Sequence, residues 1–253
     1  MTLEACAEIV RKGDPDRFLA VMAAPVAART RLLPLYAFNV EVARAPWVTE
    51  EPLIAEMRLQ WWLDALEEIA GGGPVRRHEV ATPLSEVLAR EAARDLLPLV
   101  EARRWDAYRE PFADGAALEA HLAATSGRLM GAAARVLGAE DGQAALADLG
   151  LAMGLAGWFL AVPALLARGR QPLPDDRPEA IADLARSGLA RLAAAHAAGL
   201  PARAIPAART AWRTGAILKR AAARPDRVRG GGLEGAEVAR RAGLLRRALT
   251  GGW

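Results

Sequence analysis

The chain has 253 residues, 53% hydrophobic and 25% charged, with a mean hydropathy of +0.08, enough to bury one sizeable core and too apolar for wholesale disorder or low-complexity architecture. A net charge of +3, from 33 basic and 30 acidic residues interspersed along the chain, leaves no basic stripe for nucleic acid. The single cysteine, Cys6, excludes an intrachain disulfide and a thiolate zinc site and fits a reducing, cytoplasmic compartment.

Residues 1–12 place Glu4 and Glu8 among apolar residues, so no secretory signal is read there. Helical periodicity then covers residues 25–45, 51–70, 82–100, 115–137, 143–167, 178–198, 202–222 and 233–249. Thr82-Pro83 is a helix start, with proline at the first helical position and Glu86 in the first turn. Period-two runs of β-branched and aromatic residues are missing, so the fold class is all-α. The glycine- and proline-rich breaks are too short for domain linkers, which makes residues 1–253 one domain. Pro34, Pro98, Pro163 and Pro206 fall inside helical patterns and are expected to kink or interrupt them.

Residues 149–167 carry no charge and are long enough to span a bilayer. Gly150, Gly154, Gly157 and Pro163 favour a buried central helix instead, with small residues admitting a close neighbour or leaving a cavity. In the last helix Val238, Ala242, Leu245 and Leu249 form a stripe that either packs on the bundle or lies on anionic membrane, with arginines and Trp253 at the boundary.

Recognised catalytic patterns are absent. His78, His121 and His196 lack partners at metal-ligand spacing and read as surface or helix-face residues, and Ser85, Ser126 and Ser187 have no activating context. The Gly71–Gly73 run has no lysine-threonine follow-on for a phosphate, so neither a cofactor nor a metal is assigned. Polar residues inside apolar helices stand out: Asn39 and Glu41 after Leu35-Tyr36-Ala37-Phe38, and Arg58 and Gln60 before Trp61-Trp62. These are expected to be at least partly buried and hydrogen-bonded, with Glu41 paired to Arg58, because a charge buried alone is costly.

The motifs Leu35-Tyr36-Ala37-Phe38-Asn39, Met57-Arg58-Leu59-Gln60-Trp61-Trp62, Thr125-Ser126-Gly127-Arg128-Leu129-Met130 and Gly169-Arg170-Gln171-Pro172-Leu173-Pro174-Asp175-Asp176, in this order, resemble the squalene and phytoene synthase superfamily. The resemblance covers roughly the first 180 residues. It implies an isoprenoid-synthase-like helical bundle around a central cavity, with Asn39, Glu41, Arg58, Gln60, Trp62, Arg170 and Asp176 as candidate polar-core or cavity residues. Enzymes of that superfamily ionise a prenyl diphosphate with Mg²⁺ held by aspartates on two facing helices. Where the resemblance places the first aspartate cluster this chain has Ala43 and Arg44, and where it places the second it has Leu160, Ala161 and Leu165.

The first two motifs are similar to the branch containing the mitochondrial complex I assembly factor and its alphaproteobacterial relatives. That similarity implies a non-catalytic pseudoenzyme whose partners are complex I subunits or assembly intermediates, peripheral to the cytoplasmic face of the inner membrane. Two alternatives stand beside it: a divergent prenyl transferase using an acid such as Glu41, and an isoprenoid or lipid carrier.

Overall fold

In the computed structural model, which describes every residue except Met1, Glu50 and Arg109, the described residues form helices and no strand. Asp14 caps the second helix: its carboxylate accepts the Arg17 backbone N–H at 3.0 Å, and Pro15 occupies the first helical position. This sets α1 (Leu3–Gly13) and α2 (Pro15–Met22) as an N-terminal pair packed on α3 (Val26–Arg44). A 3₁₀ turn at Ala45–Trp47 leads to α4 (Pro52–Gly71), which ends on Gly72 in the left-handed region.

The 82–100 pattern divides into α5 (Ala81–Val87) and α6 (Arg90–Ala102), because Leu88 leaves the helix in an extended conformation with its side chain buried. The 115–137 pattern is continuous yet changes pitch: α7 (Gly115–Leu122) passes through a π-helical turn at Ala123–Gly127 into α8 (Arg128–Val136). Within that turn Thr125 donates its hydroxyl to the His121 carbonyl at 2.7 Å. Extra residues of this kind inside a helix redirect side chains and recur at functional sites.

α9 (Gln143–Ala167) and α10 (Pro178–Ala198) have the bounds their punctuation implies. α9 is the one helix among the described residues long and apolar enough to cross a membrane, by length and composition. In this fold it joins two cores: Leu146 and Leu149 belong to the larger, built on α3, α4 and α6, and Leu155, Phe159 and Val162 to the smaller. The helix continues through Pro163, as α3 does through Pro34 and α6 through Pro98.

The 202–222 pattern is broken into α11 (Ile205–Ala208), flanking 3₁₀ turns, and α12 (Thr214–Ala223); α13 (Asp226–Gly230) and α14 (Glu237–Thr250) complete the chain. In α14 the packing face is not the stripe read from the sequence. Leu244 is buried, whereas Val238, Leu245 and Leu249 are 82%, 60% and 78% exposed. In this orientation Arg240 reaches the Asp16 carboxylate at 2.5 Å.

Glycines decide how closely α9 meets the π turn. A Cβ at Gly150 would lie 2.7 Å from the Gly127 Cα and one at Gly154 2.8 Å from the Ser126 Cβ, while one at Gly157 would meet nothing within 4 Å. Gly150→Ala is therefore expected to destabilise by about 1–3 kcal/mol through overpacking, despite a helix-propensity gain of up to about 1 kcal/mol. Gly157→Ala is expected to stabilise by roughly 0.5–1 kcal/mol. Urea unfolding of the two variants should give shifts of opposite sign.

Candidate functional site

A cavity of about 460 Å³ opens where α2, α3, the π turn, α9 and the start of α12 converge. α9 gives it a wall of small and apolar residues, Gly154, Gly157, Ala161 and Leu165; α3 adds Asn39 and Ala43, and Trp47 stands at its margin, half-exposed beneath the Arg168 guanidinium at 4.2 Å.

Each carboxylate lining the cavity is held by arginine, three carboxylates against four guanidiniums. Arg17 bonds Asp14 at 2.6 Å and lies over the Tyr36 ring at 5.0 Å. Arg103 bonds the buried Asp106 at 3.0 Å. Asp16 accepts Arg213 on one carboxylate oxygen and Arg240 on the other. The remaining titratable group is His121, 7% exposed among Trp105, Phe112 and Trp158, with ring centroids 5.4–5.5 Å away. Burial lowers its pKa from 6.5 to about 4, against the pull of Asp106 and with the help of Arg103 and Arg170, so it is neutral at physiological pH. Its Nε2 and the Ser126 Oγ are buried without a hydrogen-bond partner among the described residues.

Of the residues singled out from the sequence, Asn39, 8% exposed, lies at this cavity. Glu41 does not: it is half-buried, with Arg44 at 3.9 Å as its ion partner. Arg58 and Gln60 are exposed, which corrects the expectation that both are at least partly buried and that Glu41 pairs with Arg58, although Gln60 is hydrogen-bonded as expected. On α4 the inward face is Leu59, Trp62, Leu63 and Leu66, and Met57, Arg58 and Gln60 take the other side. Gln60 spans Asp64 and Arg104 at 2.8 and 2.9 Å, and Glu41, Arg58 and Trp62 border a separate outer cleft of about 390 Å³. Trp62 is buried edge-on to Phe38 at 5.2 Å. Arg170 is a tie, donating to the Trp105 carbonyl at 3.1 Å and to that of Asp106, and Asp176 is exposed and paired with Arg229 at 2.7 Å.

Sequence reasoning passed over Asp14, Asp16, Arg17, Arg103, Asp106, Arg213 and the buried state of His121. The Asp14-Pro15-Asp16 capping pattern and the Arg103/Asp106 spacing of three residues were available signals; the pairing of Asp16 with Arg213, almost 200 positions away, was not.

Comparison with known proteins places this geometry. The sequence profile described as squalene/phytoene synthase matches residues 10–247. The chain belongs to the squalene/phytoene synthase family. Its backbone superposes on a dehydrosqualene synthase with a TM-score of 0.81, at 16% identity, over 98% of this chain and 95% of that one. On a squalene synthase from Alicyclobacillus acidocaldarius the TM-score is 0.66, at 15% identity, over 87% and 92%. These likenesses establish an isoprenoid-synthase-like helical fold. Among sequence relatives, the human protein named NADH dehydrogenase (ubiquinone) complex I, assembly factor 6 is 29% identical over 175 residues, 68% of this chain and 52% of that protein. Its Drosophila melanogaster homolog is 30% identical over 177 residues, 67% and 52%. The chain thus spans about half the length of these relatives.

The Mg²⁺ ions implied by the family need uncommitted carboxylates on facing helices. Here α3 and α9 present Ala43, Ala161 and Leu165 to the cavity, while the Asp14, Asp16 and Asp106 carboxylates are each bonded to arginine. Among the described residues no group of three His, Cys, Asp or Glu side chains is arranged to hold a metal. The residues present do not fit that ion cluster.

The depressed His121 pKa sets a pH dependence. Between pH 6.5 and about 4 the unfolded chain takes up a proton that the native state refuses, so this contribution to stability is full above 6.5 and falls as the pH drops. The loss should approach roughly 3 kcal/mol. Urea unfolding at pH 7.5 and 4.5 should show that acid-side loss in the wild type and a smaller one in His121→Leu.

Proposed function

We propose that the protein is a non-catalytic member of its family that assists the building of respiratory complex I. The similarity to the assembly factor 6 proteins of human and fruit fly, across two thirds of this chain, carries the reading. The site chemistry supports it: ionisation of a prenyl diphosphate needs metal-held charge, and the cavity offers alanine and leucine side chains together with carboxylates already neutralised by arginine. A prenyl transferase using Glu41 gains no support, since that side chain borders the outer cleft rather than the cavity.

The same reading has the protein act in the cytoplasm, peripherally on the inner membrane, with complex I subunits or assembly intermediates as partners. The exposed face of α14 supports a membrane contact. Val238, Leu245 and Leu249 point away from the buried Leu244, and exposed Arg241 and Arg246 lie on either side of them. An apolar strip between arginines suits an anionic lipid surface, with contact weakened by salt.

Deleting the chromosomal copy should lower NADH:quinone reductase activity in isolated membranes, with restoration on re-expression; unchanged activity would overturn the assembly role. In co-sedimentation with phosphatidylglycerol-containing vesicles, the intact protein should bind at low salt and dissociate at high salt. Leu245→Glu with Leu249→Glu, both at exposed positions, should abolish binding, and undiminished binding would rule out α14 as the contact.

A further inference from the structure

Large apolar side chains are exposed most densely in one stretch of the chain. Within residues 47–57, Trp47, Val48, Leu53, Ile54 and Met57 all face solvent on the 3₁₀ turn and the first turns of α4, Leu53 and Met57 being 69% and 65% exposed. Apolar side chains gathered in this way mark an interaction surface. Helical steps of three and four residues set Ile54, Met57, Arg58 and Trp61 along one edge of α4, where they line the outer cleft of about 390 Å³ with Glu41 and His78, while Leu59 of the same motif turns into the core. Two hydrogen-bond donors stand open at this cleft. Arg58 has no carboxylate partner among the described residues, Glu41 being held by Arg44. His78 accepts the Val80 backbone N–H on Nδ1 at 3.1 Å, which places the ring proton on Nε2, without an acceptor among the described residues.

We propose that the outer cleft docks an amphipathic helix of a partner protein, which seats a large apolar side chain between Ile54, Met57 and Trp61 and offers a carboxylate to Arg58 and the His78 Nε2. Helix-in-groove recognition uses anchors three or four residues apart, and methionine, tryptophan and arginine are residue types that interfaces favour. The surrounding charges decide against two other occupants. An anionic membrane calls for a basic surround like that of α14, whereas here Glu41, Glu51, Glu56 and Asp64 stand among Arg44, Arg58 and Arg104. Self-docking through the exposed face of α14 would bring Arg241 and Arg246 against Arg58, like charge on like. The docking claim stands on the cleft; only the identity of the partner, a subunit or assembly intermediate of complex I, rests on the assembly reading.

The test is photocrosslinking in the living cell, with the full chain carrying p-benzoylphenylalanine in place of Leu53 on the rim of the patch or, as a control, in place of Ala190, exposed on α10. A protein adduct is expected from position 53 and none from position 190. The crosslinked partner segment, mapped by mass spectrometry, should carry a large apolar residue with Asp or Glu three or four positions away. Arg58→Glu and Met57→Glu, both at exposed positions, should each lower the adduct roughly tenfold with unchanged circular dichroism. An adduct of this description to a complex I component supports the assembly reading as well; one to another protein upholds the cleft and counts against assembly. A lipid adduct, a crosslink to a second copy of the chain, a partner segment without an acid, no adduct, or an adduct indifferent to either substitution would overturn the proposal, even where deletion of the chromosomal copy lowers NADH:quinone reductase activity.

Discussion

One carboxylate organises the open side of this fold. Asp16, in the first turn of α2, receives Arg213 from the start of α12 and Arg240 from α14, and so ties together segments about 200 positions apart in the chain. All three side chains are partly withdrawn from water, where charged hydrogen bonds are worth more than surface pairs and where loss of one partner leaves the others uncompensated. The N-terminal pair, the 210–214 segment and the last helix are held to one another at this point.

A bundle that cleaves diphosphates needs carboxylates free to take metal. In this protein the carboxylates at the cavity are bonded to arginines, and α3 and α9 face it with Asn39, Ala43, Gly154, Gly157, Ala161 and Leu165 among others. The backbone retains the family's architecture, as the superposition on a dehydrosqualene synthase shows, while each carboxylate at the cavity is held by arginine. Fold and chemistry are separable properties, and side chains at the site decide the second.

Helix existence was readable wherever periodicity and punctuation agreed, as for Gln143–Ala167 and Pro178–Ala198. The π turn at Ala123–Gly127 was not, because it alters pitch without altering composition, and α9 settles its position through close approach at Gly150 and Gly154. Arg58 and Gln60 show the limit of inference from neighbours: adjacency to Trp61-Trp62 says that a helix is partly buried, but the 100° step between residues turns these two outward. α14 shows a related limit. Its most apolar stripe is the exposed one, and the face turned inward carries Leu244 and the tie from Arg240 to Asp16. His121 looked isolated because its surroundings, Trp105, Phe112 and Trp158, are assembled only in three dimensions.

The central claim is that the carboxylates at the cavity are held by arginines, leaving none free to take the metal that ionising a prenyl diphosphate needs. The most direct measurement is inorganic diphosphate released from farnesyl diphosphate by the purified protein in the presence of Mg²⁺. The account predicts release at the rate of the protein-free control. Release that rises with protein concentration and disappears with EDTA would contradict it.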